Sequence, residues 1–106
     1  MSAWIYLMSA GVLEVGFAFM LKLTDNFTKI TPTIIFVLFA IGSFYALTKA
    51  IETIPIGTAY AVWTGIGAFG IIVIGIVFYN EPAGALRLFF LFTLIASIIG
   101  LKLVSN

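Results

Sequence analysis

The chain has 106 residues, of which 63% are apolar and 8% are charged, and its formal net charge is +1. A soluble domain is nearer half apolar and a quarter charged, and a domain this small keeps a large share of its residues at the surface. Five basic and four acidic side chains could not cover that surface. The composition therefore favours a chain whose solvent is lipid.

The residue types also exclude several kinds of chemistry. The sequence contains no Cys and no His, which removes disulfides, thiol nucleophiles, imidazole bases and the usual zinc sites. A net charge of +1 forms no basic patch for nucleic acid. No nucleophile–base pair is visible, so we expect neither an enzyme nor a resident cofactor or metal.

Four apolar runs are each long enough to cross a bilayer, which needs about 20 residues per helix. They cover about residues 3–22, 32–50, 56–79 and 85–103. Polar turns separate the runs, and Pro32, Pro55 and Pro82 all lie near helix starts, where a missing N–H costs little. The sequence therefore predicts an all-α membrane protein, with residues 1–106 forming one domain of four transmembrane helices and both termini on one side.

The positive charges are balanced between the two predicted membrane faces. The first and third loops carry Lys22, Lys29 and Arg87, and the opposite face carries Lys49, Lys102 and the amino terminus. The positive-inside rule then gives almost no preference for orientation. Two interpretations stay open: a weak orienting feature elsewhere in the chain, or dual topology with copies that insert both ways and pair antiparallel.

Glu14 is the one charged residue predicted to lie near the middle of a span. A carboxylate there costs on the order of 3 kcal/mol, and none of the other spans carries a Lys or Arg at matching depth. Either the group binds a proton, or it faces a polar cavity and binds a cation; a site that alternates between the two is a proton-coupled cation carrier. A protonated carboxyl in an interhelical hydrogen bond is the structural alternative.

Small and aromatic residues flank Glu14 on the first predicted helix. Ala10, Gly11 and Ala18 share its face, and Phe17, three residues on, adds an aromatic wall. Small side chains at these positions either admit a neighbouring helix or leave room for a ligand. Helix packing and a binding face are both consistent with this pattern.

The third run carries a second candidate cluster. Tyr60 and Trp63 share a helix face, and Trp63 lies deeper than an interfacial anchor. Their rings attract cations, and their O–H and N–H can bond a carboxylate, as can Ser43 in the second run. A core aromatic with a satisfied polar tip is the alternative. The G-x-G-x-x-G run at 65–70 lies in a charge-free span, so we interpret it as a closely packed or bent helix segment.

The fourth run contains Ala96 and Gly100, a small-xxx-small pair typical of tight helix contacts. We expect this pair to contact another helix, including one of a second subunit. Four helices enclose a substrate path poorly, so two copies are favoured. Two copies would bring two Glu14 carboxylates together, which suits exchange of protons for a cation.

These features together resemble the small multidrug resistance family over essentially the whole chain. The resemblance rests on Glu14 in the first span, on Ser43 in the second, and on G-T-A-Y-A-V-W-T-G-I-G-A at 57–68. It implies an antiparallel, dual-topology homodimer in the bacterial inner membrane. It also implies that two Glu14 side chains bind either protons or one small organic cation, with Gly11, Phe17, Ser43, Tyr60 and Trp63 lining and tuning the site.

Within that family, the segments 63–68 and 98–102 resemble the guanidinium-exporter subtype. That subtype usually has Trp three residues after the central Glu, preceded by Val, whereas this chain has Phe17 and Gly16. Without the indole N–H, we expect the site to select less strongly against alkylated cations. The resemblance thus implies a proton-coupled guanidinium exporter. The alternatives are a broad-specificity exporter of quaternary ammonium and hydrophobic cations, or one half of an obligate heterodimer.

Overall fold

The computed structural model describes residues 2–104, which form four α-helices and no strand. The helices are α1 (Ser2–Leu23), α2 (Ile30–Ala50), α3 (Ile56–Phe78) and α4 (Ala85–Val104). All four are long and apolar enough to cross a membrane. The predicted all-α architecture of four transmembrane helices is therefore confirmed.

Prolines lie at the beginnings of the central helices for the expected reason. Pro55 directly precedes α3 with φ −54° and ψ 138°, an extended conformation that leads into the first turn. α2 begins at Ile30, two residues before Pro32 and earlier than the predicted start. Pro32 thus occupies the first helical turn, where its missing N–H removes no intrahelical hydrogen bond.

The turn between α1 and α2 has an unusual backbone. Asp25, Asn26 and Phe27 all have positive φ, at 49°, 60° and 66°, a region that side chains other than Gly seldom adopt. The buried Thr24 hydroxyl stabilises the turn: it donates to the Leu21 carbonyl at 2.7 Å and accepts the Phe27 N–H at 3.2 Å. The chain therefore reverses within a few residues.

The helices form a thin slab with principal extents of 42, 35 and 17 Å. α1 lies between α2 and α3 and packs against both, and α4 lies mainly along α3. Four of the nine residues in the buried core are alanines, Ala10, Ala46, Ala50 and Ala59, and their small side chains let helix backbones approach closely. Large apolar side chains cover the outside, as lipid contact requires.

Candidate functional site

Glu14 occupies the middle of α1, twelve residues after Ser2 and nine before Leu23. At 1.5 Å per residue it lies about 18 Å and 14 Å from the two helix ends. Its Oε1 atom is buried and has no hydrogen-bond partner among the described residues. A mid-span carboxylate without an internal partner is free to take a proton or a cation.

Gly67 of α3 makes room for this carboxylate. A Cβ atom built on Gly67 would overlap Cδ and Oε1 of Glu14, so only glycine fits against the side chain as it lies. Gly70 is covered in the same way by the Val15 side chain. The predicted close packing of the glycine-rich segment is confirmed at both positions, and it aims Glu14 into the contact between α1 and α3.

Ser43 and Trp63 are brought together, but not around the Glu14 carboxylate. The Trp63 indole Nε1–H donates to Ser43 Oγ at 2.9 Å, and Ser43 Oγ–H donates to the Ala10 carbonyl at 2.7 Å. Both side chains are buried. Ala10 lies one turn before Glu14, so this chain of hydrogen bonds joins α3 and α2 to the part of α1 that carries the carboxylate.

Tyr60 and Phe17 belong to a continuous row of six aromatic rings. Consecutive ring centroids are 5.4–6.1 Å apart, in the order Tyr60, Trp63, Phe44, Phe17, Phe36 and Phe27. Tyr60 is 58% exposed and Phe44 is 50% exposed, so the row presents aromatic faces to the outside of this subunit. Phe44, Phe36 and Phe27 were not among the predicted site residues, because they join the row across helices and no spacing along the chain reveals them.

The remaining candidates are Gly11 on α1 and the Ala96–Gly100 pair on α4. Gly11 is packed under Ile66, where a Cβ atom would lie 2.7 Å from the Ile66 Cβ. Ala96 is exposed, and a Cβ on Gly100 would meet nothing within 4 Å. The Ala96–Gly100 face of α4 is thus uncovered by the described residues of this subunit, and its contact with a second copy stays a prediction.

The described residues contain no cluster of acidic side chains that could hold a metal ion. What they contain is a mid-span carboxylate whose buried Oε1 atom has no hydrogen-bond partner, and a row of aromatic rings that can face a cation. This geometry is that of a multi-pass membrane carrier.

Comparison with known proteins identifies the family. The family described as Small Multidrug Resistance protein matches residues 2–95, and the chain belongs to it. The chain is 50% identical over 104 residues to a protein named guanidinium exporter from Citrobacter freundii, covering 98% of this chain and 99% of the relative. The guanidinium exporter of Yersinia pestis is 48% identical over 103 residues, covering 97% of this chain and 99% of the relative.

Family membership fixes two further points. The protein is a transporter and not an enzyme. With four membrane-spanning helices, it is a multi-pass protein of the bacterial inner membrane. Both agree with the predictions made from composition and from the resemblance.

Proposed function

We propose that the protein is a proton-coupled antiporter that exports guanidinium-type cations, with protons and cation competing for Glu14. The observation that carries this proposal is the buried Glu14 Oε1, which has no hydrogen-bond partner among residues 2–104. A bare carboxylate near the bilayer centre costs on the order of 3 kcal/mol. A proton or a cation each neutralises that charge, so the site is occupied by one or the other in turn.

The chemistry of the site suits a planar, fork-shaped cation. A guanidinium ion donates parallel N–H bonds to carboxylates and stacks on aromatic rings. Phe44 and Tyr60 offer half-exposed rings on either side of Trp63. The relatives named guanidinium exporter cover nearly the whole chain at 48–50% identity, which supports this substrate class over others.

Two antiparallel copies form the working unit in this proposal. The uncovered Ala96–Gly100 face and the nearly equal positive charge on the two membrane faces support it. Two Glu14 carboxylates then share one cation or hold the exchanged protons. A partner chain in place of the second copy is the alternative arrangement.

Variants that add positive charge to one membrane face or to the other test the antiparallel arrangement. Thr28→Lys with Ala83→Lys loads one membrane face, and Ile51→Lys with Thr53→Lys loads the other. Each double variant alone should lose most activity, and expressing the two together should restore it. Full activity of either variant by itself would show that a fixed orientation suffices.

A broader substrate range is the second candidate function. Phe17 stacks on Phe44 at 6.1 Å and meets Phe36 edge-on at 5.6 Å, forming a wall without an N–H donor. Such a wall favours alkylated ammonium ions as much as guanidinium, since both bind to ring faces. Transport measurements with both kinds of cation decide between the two.

The experiment is transport current in proteoliposomes that contain only this protein. Guanidinium and then tetraethylammonium are applied, with Glu14→Gln as the inactive variant and Glu52→Gln, an exposed loop carboxylate, as the control. A guanidinium current that is lost in Glu14→Gln and kept in Glu52→Gln supports the proposal. A current with tetraethylammonium, with or without a guanidinium current, would establish the second candidate, and silence from folded protein would indicate a missing partner or a different function.

A further inference from the structure

A cavity lies on the same face of α1 as Glu14, at the end of the helix where the chain leaves the membrane. It has a volume of about 140 Å³, and its walls include Ala18, Lys22, Gly75, Tyr79 and Glu81. Ala18 and Lys22 follow Glu14 at intervals of four residues, so all three share one face of α1. At 1.5 Å per residue, Lys22 lies about 12 Å along the helix from Glu14.

Aromatic rings form one side of this cavity, and a cation already lies over one of them. The Lys22 ammonium nitrogen is 4.2 Å from the centroid of the Tyr79 ring, within the range of a cation–π contact. The Phe19 ring is 6.4 Å from the same ring. Among residues 2–104, Lys22 forms no ion pair with a carboxylate, and its ammonium group contacts the Tyr79 ring instead.

A carboxylate forms the other side, and it already binds a guanidinium group. Glu81 Oε1 accepts a hydrogen bond from Arg87 Nη2 at 3.0 Å. The Glu81 N–H donates to the Gly75 carbonyl at 3.1 Å, and a Cβ on Gly75 would overlap the Glu81 carboxylate. The loop after α3 is thereby folded back so that Glu81 reaches the cavity.

The side chains of Arg87 and Lys22 can both be displaced from their partners, Glu81 and the Tyr79 ring. The Glu81 and Arg87 side chains are 46% and 37% exposed, and exposed ion pairs contribute little to stability. Lys and Arg have long stems that can carry their charges to the membrane interface. A free guanidinium ion has the same N–H fork as Arg87 but no tether, so it can contact Glu81 and the Tyr79 ring at once.

We propose that this cavity is a second cation-binding site, in which a guanidinium-type ion displaces Arg87 from Glu81 and Lys22 from the Tyr79 ring. The ion is held at the membrane surface about 12 Å from Glu14, which raises its local concentration on that side. This proposal rests on the proposed transport function. In an antiparallel pair, the same cavity is present at both membrane faces.

Binding in the absence of the central carboxylate tests the site directly. In Glu14→Gln protein, guanidinium chloride is titrated while the ring signals of labelled tyrosines are followed by NMR, with Tyr79→Leu used for assignment. Tyr79 should shift saturably, and adding Glu81→Gln should weaken that binding by about fivefold or more. Adding Glu52→Gln, which removes the Lys49-paired carboxylate of the opposite loop, should change nothing. A Tyr79 signal that does not move, or moves equally with Glu81→Gln, overturns the proposal.

Transport kinetics separate this site from the central one. Glu81→Gln and Tyr79→Leu should each raise the KM for guanidinium by about threefold to tenfold while the maximum current stays within about twofold, because they remove a holding site and leave Glu14 intact. If the unsubstituted protein carries no guanidinium, the transport function itself is wrong. If it carries guanidinium and both variants keep its KM, only the second site is wrong.

Discussion

Glu14 lies directly against the backbone of Gly67, with no side chain between its carboxylate and α3. Gly67→Ala should therefore push the carboxylate out of its place while the helices stay folded. The contacted atoms are the far end of the flexible Glu14 side chain, so the carboxylate can turn aside at little cost to folding. We expect about a tenfold loss of cation affinity, equivalent to about 1.4 kcal/mol, because the displaced carboxylate no longer lies where the cation binds. Guanidinium transport in proteoliposomes measures the effect.

Gly57→Ala is the matched control for that substitution. Gly57 lies near the start of the same helix, and a Cβ there would meet nothing within 4 Å. Alanine also favours helix more than glycine does, so transport and thermal stability should both be kept. Equal activity of Gly67→Ala and Gly57→Ala would show that the Glu14 contact has no role in transport.

Ser43→Ala should destabilise the protein, because it leaves the buried Trp63 indole N–H without an acceptor. An unsatisfied buried donor costs about 1–3 kcal/mol, measurable as a lower melting temperature in detergent. Adding Trp63→Phe removes the donor as well, so the double variant should lose less stability than the sum of the two single variants.

Thr48→Ala is the comparison for Ser43→Ala. The exposed Thr48 hydroxyl donates to the Tyr45 carbonyl of its own helix, and its loss should change stability by less than about 0.5 kcal/mol. A similar loss of stability in both variants would show that the hydrogen bond between Ser43 and Trp63 stabilises the protein no more than an exposed one does.

Guanidinium affinity should fall as the pH is lowered. In the proposed function a protonated Glu14 carboxyl does not bind the cation, so we expect each proton taken up there to leave before the cation binds. Below the range in which Glu14 titrates, the dissociation constant should rise about tenfold per pH unit for each proton displaced. Binding measured between pH 5 and 9 gives the slope, and a slope of two would indicate that both subunits take part.

The same titration in Glu14→Gln provides the baseline for the central site. Any binding that remains there should depend far less on pH, because the competing carboxyl is gone. A steep pH dependence that survives the substitution would assign the proton competition to another group.

Phe17→Trp should narrow the range of cations carried. The ring would keep its contacts with Phe36 and Phe44 and gain an N–H donor that can bond the Glu14 carboxylate. A carboxylate fixed in this way suits the parallel N–H donors of guanidinium, whereas an alkylated ammonium ion has no N–H group to use it. The ratio of guanidinium to tetraethylammonium transport should rise by about tenfold, the size of one hydrogen bond to a charged group. Phe90→Trp, at an α4 residue that is 63% exposed and lies off the Ala96–Gly100 face, should leave the ratio unchanged.

The helices and the mid-span position of Glu14 could be predicted because each depends on the sequence alone. Span length follows from apolar runs and prolines, and an isolated mid-span carboxylate stands out against eight other charges near span ends or in loops. The early start of α2 at Ile30 was less predictable. Thr31 and Pro32 fit a first helical turn as well as they fit a loop.

Contacts between helices could not be predicted in the same way. Whether Trp63 donates to Ser43 or to a carboxylate depends on how α2 and α3 rotate about their axes, which hydropathy does not determine. Glycine enrichment indicated close packing, but not that Gly67 faces Glu14. The ring of Tyr79 and the ammonium of Lys22 meet only because the chain folds back after α3.

The arrangement of α4 also bears on how the protein is made. α1 contacts α2 and α3, whereas α4 lies mainly along α3. Helices emerge from the ribosome in chain order, so a nascent chain that has reached Tyr79 can already join Glu14, Ser43, Gly67 and Trp63 into one unit. We expect α4 to enter the bilayer beside that unit, with its Ala96–Gly100 face open to a second chain from the moment it inserts.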